Sequence, residues 1–148
     1  MKHSNVLLLL SVVLLLPSGC VTSTDVSGDP RYNYGLAVGT EYRLRCDVFL
    51  RHYEGVHSLE PADSYYAPLT IEAFKAGRLD VKYIEGVVSD GTILKVCKVF
   101  VRNYQTHTAT QCIGEIASGP HTGRKVLINS LVRDRTGQYL EQVAGNAP

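Results

Sequence analysis

The sequence lacks an excess of charge of either sign. Its 148 residues carry 15 Lys and Arg against 14 Asp and Glu, which gives a formal net charge of +1 at pH 7. Proteins that hold nucleic acid or an anionic membrane surface by electrostatic attraction concentrate positive charge on one face. The balanced composition therefore argues against nucleic acid as a partner and against membrane attachment through a basic surface.

The sequence also lacks the short motifs of several common catalytic sites. It contains no G-x-S-x-G, no H-E-x-x-H and no glycine-rich phosphate loop. Those patterns mark serine hydrolases, zinc peptidases and nucleotide-binding proteins, respectively. We therefore expect a protein that is not an enzyme and that needs no cofactor.

No apolar run in the sequence is long enough to span a bilayer. The run at residues 6–16 has 11 residues, so as a helix it would be about 16 Å long against a hydrocarbon core of about 30 Å. It follows the cationic residues 1–3 and precedes small residues and a cysteine. This is the arrangement of a secretory signal peptide.

The stretch Leu16-Pro17-Ser18-Gly19-Cys20 resembles the lipobox of bacterial lipoproteins, in which small residues precede the modified cysteine. The resemblance implies that residues 1–19 are removed and that the Cys20 thiol carries a covalent lipid, with palmitate as one of its acyl chains. Two or more acyl chains hold a protein stably on a membrane. The residue after the anchor is Val21 and not Asp, which in this class implies the outer membrane, facing the periplasm. Ordinary secretory cleavage nearby is the alternative.

Composition divides the rest of the chain into three segments. Residues 20–37 are polar, contain Gly and Pro and have no apolar period, which predicts a lipidated N-terminus followed by a flexible tether. Residues 38–144 predict one β-barrel domain, and residues 145–148 a frayed tail.

Alternating apolar and polar residues predict most of the strands in the domain. Residues 42–50 alternate, apart from Phe49 on the polar face, which suggests a bulge or contact with a covering loop. Residues 81–88 and 92–101 are interpreted as a hairpin joined at Asp90-Gly91. These features predict a mainly β fold, a small antiparallel β-barrel whose rhythm resembles SH3-like barrels of bacterial envelope proteins.

One stretch interrupts this pattern. Residues 54–69 are interpreted as a long irregular loop, which in a small domain is often functional or covering. One short helix is expected directly after it, with Thr70 as its N-cap, Ile71 and Phe74 on one face, and Gly77 at its C-terminal end.

Three cysteines besides Cys20 allow at most one intramolecular disulfide. Cys97 and Cys112 share strand parity around a loop, so hairpin pairing is expected to bring them within reach of a disulfide that closes about 15 residues. A Cys46–Cys97 bridge and no bridge at all are the alternatives. Since all three lie in strand patterns and not at a helix N-terminus, a cysteine-dependent hydrolase or redox protein remains only the alternative function.

Histidines give no strong metal-ligand pattern. Cys46, His52 and His57 form the spacing Cys-x5-His-x4-His, which matches no common site. In a strand followed by a loop, these side chains are expected to scatter. We therefore expect no metal site.

Tyrosine is the most suggestive residue type, with nine copies and no tryptophan in the chain. Tyr53, Tyr65, Tyr66 and Tyr104 fall at loops or strand ends, where amphipathic rings suit binding to glycans or peptides. These four residues form the candidate binding surface. The alternative, which the sequence favours slightly, is that the rings cap a small barrel.

An internal echo links two of these tyrosines. Residues 46–53, CDVFLRHY, align without gaps with residues 97–104, CKVFVRNY, and five positions are identical. The echo is either a duplicated binding element or two strands that share a pattern by chance. The second is favoured because the flanks do not repeat. Together, these observations predict an envelope lipoprotein that acts as a non-catalytic binding or structural module for a protein partner or peptidoglycan.

Overall fold

The computed structural model describes residues 21–64, 70–78, 82–132 and 136–144. The described part is mainly β, as the sequence predicts. Its strands are β1 (Thr22–Asp25), β2 (Glu41–Leu44), β3 (Val48–Tyr53), β4 (Val56–Pro61), β5 (Ile84–Val88), β6 (Ile93–Asn103), β7 (Thr108–Ile116), β8 (Lys125–Leu127) and β9 (Leu140–Gln142). The helices are α1 (Ile71–Lys75), α2 (Asn129–Val132) and α3 (Thr136–Tyr139), with a 3₁₀ turn at Ala62–Ser64. The sequence analysis predicted one short helix, whereas the described residues contain three.

All the described strands belong to one sheet, in the order β5-β3-β4-β8-β7-β6-β2-β9, with β1 also paired to β6. Among the described residues, no pairing joins β5 to β9, so the sheet does not close. The neighbours β4 and β8 are parallel. The prediction of a closed antiparallel barrel is wrong here because β4, which lies between β3 and β8, was interpreted as part of a loop.

The β3–β4 hairpin corrects the interpretation of residues 54–69 as an irregular loop. Tyr53 pairs with Val56 across a two-residue turn. Glu54 and Gly55 have φ angles of 51° and 78°, the left-handed conformations that such a turn needs to match the twist of its strands. The strand that follows continues to Pro61.

The expected hairpin between β5 and β6 is also wrong. A turn does form, in which the Thr92 amide donates to the Ser89 carbonyl at 3.2 Å. However, the Gly91 amide donates to the carbonyl of Leu44, and Thr92 accepts from the Leu44 amide, both at 2.9 Å. The turn therefore docks on β2, while β5 pairs with β3 and β6 pairs with β7.

Parts of the segment predicted as a flexible tether, residues 20–37, pair with the sheet or pack against it. β1 pairs antiparallel with the end of β6. The Val99 amide donates to Ser27 Oγ at 2.9 Å, and Leu36 is fully buried. The side chains of β1 are all exposed, so backbone pairing holds this strand and apolar periodicity could not reveal it.

The helix α1 forms as the sequence predicts. Thr70 Oγ1 accepts a hydrogen bond from the Ala73 amide at 3.1 Å, and Gly77 has a φ of 66° just after the helix. Phe74 packs edge-on against Phe49, with ring centroids 5.8 Å apart. The helix therefore covers the apolar residue that interrupts the polar face of the 42–50 stretch.

The hydrophobic core lies between the sheet and the helices after β8. Leu44, Leu50 and Leu94 of the strands, with Ile128 and Leu131 beside and within α2, have at most 1% of their surface exposed. Burial of such side chains contributes about 1.5–3 kcal/mol each to stability. The core fixes which face of each strand points outwards and so positions the groove described next.

Candidate binding groove and histidine cluster

A groove of about 450 Å³ lies on the face of the sheet that carries Arg51 and Tyr53. From the β3–β4 hairpin it is lined by Arg51, Tyr53 and Val56, and from the other side by Arg102 and Tyr104. The hairpin also contributes the carboxylates of Glu54 and Glu60, so the lining has charges of both signs. Arg51 and Tyr53 share one face because alternate residues of a strand point the same way. Of the candidate binding residues, the structure therefore brings Tyr53 and Tyr104 together, whereas Tyr65 and Tyr66 lie outside the described residues.

The two walls of this groove come from the two similar octets, residues 46–53 and 97–104. In the alignment, Arg51 is equivalent to Arg102 and Tyr53 to Tyr104. All four line the groove, although β3 and β6 are separated in the sheet by β4, β8 and β7. The repeated Arg-x-Tyr pattern thus frames a single depression from both sides.

Aromatic and guanidinium groups stack along the β3 wall. The Arg51 guanidinium carbon lies 5.4 Å from the Tyr53 ring centroid and 6.0 Å from that of Tyr83. The two rings meet edge to face at 5.1 Å. Tyr53 is 45% exposed and Tyr83 40% exposed, so Tyr53 does not cap the core. Sequence reasoning missed Tyr83, which sits just before β5 in a segment without a motif.

The opposite wall carries a similar but more covered arrangement. The Arg102 guanidinium carbon lies 5.6 Å from the centroid of the Phe100 ring, which is only 8% exposed. Tyr104 stacks on His107, with ring centroids 4.6 Å apart. The cation–π contact holds the Arg102 guanidinium over the face of the Phe100 ring.

Two further cavities adjoin the groove and share part of its lining. One of about 230 Å³ contains His57 and Lys125 in its lining, and one of about 730 Å³ contains Tyr34. Gln111 and Leu127 line all three cavities. The depression is therefore long and open, which suits an extended ligand better than a compact one.

His52 and His57 face away from this groove rim and meet on the other face of the hairpin. They are direct cross-strand partners, and their rings stack with centroids 4.4 Å apart and planes 13° apart. The expectation that these side chains scatter is therefore wrong. The two-residue turn at Glu54-Gly55 places the two strands in register, which the spacing alone did not reveal.

Glu85 of β5 completes a cluster with these two rings. Its Oε1 lies 3.2 Å from His52 Nδ1 and its Oε2 lies 3.4 Å from His57 Nε2. In the β3–β5 pairing, Leu50 pairs with Gly86 and Arg51 with Ile84, so Glu85 is the extra residue of a bulge. Bulges commonly redirect a side chain in this way.

The Arg124 guanidinium also contacts Glu85, through Nη1 and Oε2. Desolvation raises the pKa of Glu85, but the hydrogen bond from Arg124 and the charges of His57, Arg124 and His52 outweigh it, so the pKa is lowered. The Glu85 carboxylate is therefore ionised at neutral pH. Cys46, which the sequence spacing had joined to the two histidines, is not part of the cluster.

Within the described residues, Cys46, Cys97 and Cys112 are all free thiols. The expected opposition of Cys97 and Cys112 is wrong because β6 shifts register between Val96 and Lys98. This bulge leaves Cys97 without a partner position and puts Val99 opposite Cys112. Counting alternate residues along the sequence gives the wrong face beyond such a bulge, because one extra residue reverses which side chains point to each face of the sheet.

None of these thiols is activated. Burial raises the pKa of Cys46 and of Cys97, and it raises that of Cys112 to about 11. A reactive cysteine needs a lowered pKa, because the thiolate is the nucleophile. This weighs against the alternative of a cysteine-dependent hydrolase or redox protein.

No family model, curated protein or solved structure matches this chain. No helix in the described ranges has the length and apolar character needed to cross a membrane.

Proposed function

We propose that this chain is a membrane-anchored envelope lipoprotein whose groove binds a cell-wall glycan without catalysing a reaction. The lipid on Cys20 holds the protein on the outer membrane, and the domain faces the periplasm. One observation carries the binding part of this proposal, namely that the two Arg-x-Tyr repeats line a single groove. The resemblance of residues 16–20 to a lipobox carries the anchoring part.

The repeated lining favours a ligand that itself repeats. Arg51 with Tyr53 and Arg102 with Tyr104 offer the same two chemical groups at two places. A polysaccharide presents the same hydroxyl groups at regular intervals, so each pair can contact an equivalent unit. Tyrosine rings contact a ligand with little loss of side-chain entropy, and the polar residues of the lining, Glu54 and Glu60 included, can exchange hydrogen bonds with sugar hydroxyls.

The character of the surface also favours a glycan over a folded protein. Stable protein interfaces bury about 800 Å² per partner around an apolar centre. Here, Phe100 in the adjoining cavity is largely covered, and the exposed large apolar side chains at this wall are Tyr53, Val56 and Tyr83. An amphipathic surface of tyrosine and arginine is better suited to a hydrated chain.

Cosedimentation of the purified protein with insoluble cell-wall glycan tests the proposal. Tyr53→Ala and Tyr104→Ala are each expected to weaken binding by about 5- to 30-fold, the scale of a loss of 1–2 kcal/mol at a central contact. Tyr32→Ala is the matched control, because Tyr32 is an exposed tyrosine that also stacks with an arginine, at 5.7 Å, outside the groove.

Equal binding by the three variants and the wild type would count against the groove. Absence of glycan binding, together with crosslinking of one envelope protein through position 53, would replace the glycan by a protein partner.

A further inference from the structure

The histidine cluster has the geometry of a metal site, independently of the groove. Two ligand atoms bound at 2.0–2.1 Å to a tetrahedral ion lie about 3.4 Å apart. The carboxylate oxygens of Glu85 lie 3.2 Å from His52 Nδ1 and 3.4 Å from His57 Nε2. One ligand atom from each of the three residues lies within 4.8 Å of the other two, so small side-chain rotations bring the three atoms around one ion.

The cluster is open on one side and held on the others. The side chains of His52, His57 and Glu85 are 42%, 28% and 36% exposed, which leaves a path for an ion and room for water ligands. Cross-strand pairing fixes the two rings, and the bulge in β5 fixes Glu85. The ligands are therefore arranged by the backbone before any ion arrives.

Arg124 is the competitor for this site. Its guanidinium contacts Oε2 of Glu85, the oxygen that also faces His57. A cation bound by the histidines must share the carboxylate with Arg124 or displace it. Removal of the guanidinium should therefore strengthen metal binding, whereas a purely structural ion-pair network would show no metal binding for Arg124 to oppose.

We propose that His52, His57 and Glu85 bind one divalent transition-metal ion of the zinc class, with water in the remaining position. Two imidazoles and one carboxylate suit Zn²⁺ and its neighbours, while Mg²⁺ and Ca²⁺ prefer sets of oxygen ligands. The bound ion would tie the β3–β4 hairpin to the edge strand β5. It would thereby stiffen the wall that carries Tyr53, although the site does not depend on what the groove binds.

Titration of the full-length protein in detergent with ZnCl₂, followed by calorimetry, tests this proposal. We expect one ion per chain at micromolar or tighter affinity. His57→Ala and Glu85→Gln should each weaken binding by at least about tenfold, as expected for loss of a ligand. His107→Ala is the matched control, since His107 is an exposed histidine outside the cluster. Arg124→Gln should tighten binding by about fivefold or less, the scale of one partly exposed ion pair.

Cobalt gives a second readout that separates this site from the thiols. Co²⁺ bound by His52, His57 and Glu85 should show visible d–d absorption without a thiolate charge-transfer band, and the visible bands should be absent in His52→Gln. Failure to bind Zn²⁺, binding by His57→Ala and Glu85→Gln within twofold of the wild type, or a dominant thiolate band would each overturn the proposal. If circular dichroism shows that His57→Ala is unfolded, the Glu85→Gln and Arg124→Gln results decide.

Discussion

Tyr53 and Tyr104 hold equivalent positions in two similar octets and line the same groove from opposite sides. Three strands, β4, β8 and β7, lie between β3 and β6 in the sheet, and residues of all three line the groove between the two tyrosines. The two similar octets therefore contribute the same pair of residue types to one groove.

The anchor leads to a prediction about Cys20. If the Cys20 thiol carries the lipid, cells grown with labelled palmitate should label the wild-type protein, and Cys20→Ser should remove the label completely. The same change should release the protein from membranes, because it removes acyl chains that each contribute about 0.8 kcal/mol per buried methylene. Cys46→Ser is the control and should keep both the label and the membrane fraction. A labelled Cys20→Ser protein would refute the anchor.

The β3–β4 turn leads to a prediction about Gly55. Its φ of 78° lies in the left-handed region, where a β-branched side chain is strained. Gly55→Val should lower the free energy of unfolding by about 1–2 kcal/mol, measured by urea unfolding. Gly137→Ala is the control, because Gly137 lies in α3 with open space around it. That change should be neutral or stabilising by up to about 1 kcal/mol. Equal effects of both changes would contradict the turn.

Asp47 leads to a prediction about pH. The hydrogen bond from the Lys75 ammonium holds the pKa of Asp47 below its usual value of 3.8. The Asp90 amide, which donates to Asp47 Oδ1 at 2.8 Å, lowers this pKa further. A lowered pKa in the folded state adds stability above the unfolded-state pKa, and that stability is lost as pH falls through the folded-state value. Asp47→Asn should therefore cost about 0.5–1 kcal/mol at pH 7.

Urea unfolding at pH 7, 5 and 3 measures this effect. The difference between the wild type and Asp47→Asn should be complete at pH 7 and 5 and should shrink below about pH 3.8. Asp90→Asn keeps the backbone amide that donates to Asp47 and should retain the loss of stability that the wild type shows below about pH 3.8. A difference for Asp47→Asn that stays constant down to pH 3 would contradict the ion pair.

Cys112 leads to a prediction about thiol reactivity. Burial raises its pKa to about 11, so at pH 7 and 8 its thiol is protonated and shielded. A thiol-specific reagent should modify Cys112 only as fast as the protein unfolds, whereas the partly exposed Cys46 and Cys97 should react faster. Peptide mapping without reduction should recover all three as separate thiols. A linked Cys97–Cys112 peptide would contradict the register of β6 and β7.

Local signals predicted some elements well. The cap of α1 at Thr70 was predicted because it depends only on residues a few positions apart. The covering of Phe49 was predicted because this apolar side chain stands out on a polar face. The β3–β4 hairpin was not predicted because Glu-Gly is a weaker turn signal than Asn-Gly. Asp90-Gly91 did make a turn, but a turn signal does not say which strands pair on either side of it.

The candidate site shows the same limit more strongly. Tyr53 and Tyr104 were singled out because each tyrosine stands at the end of a strand. The cluster of His52, His57 and Glu85 could not be predicted, because a hairpin and then a bulge in a distant strand bring these residues together. Neither the hairpin nor the bulge can be predicted from the spacing of these residues in the sequence. The bulge in β6 likewise made the predicted pairing of Cys97 with Cys112 wrong.

Hydrogen exchange measured with and without soluble fragments of cell-wall glycan tests the central claim most directly. The account predicts slower exchange in two separate segments, residues 53–60 and 102–111, which form the two walls of the groove. Residues 41–44 of β2, which do not line it, should exchange at the same rate in both samples. Unchanged exchange in both wall segments at saturating glycan, or protection confined to another part of the chain, would contradict the account.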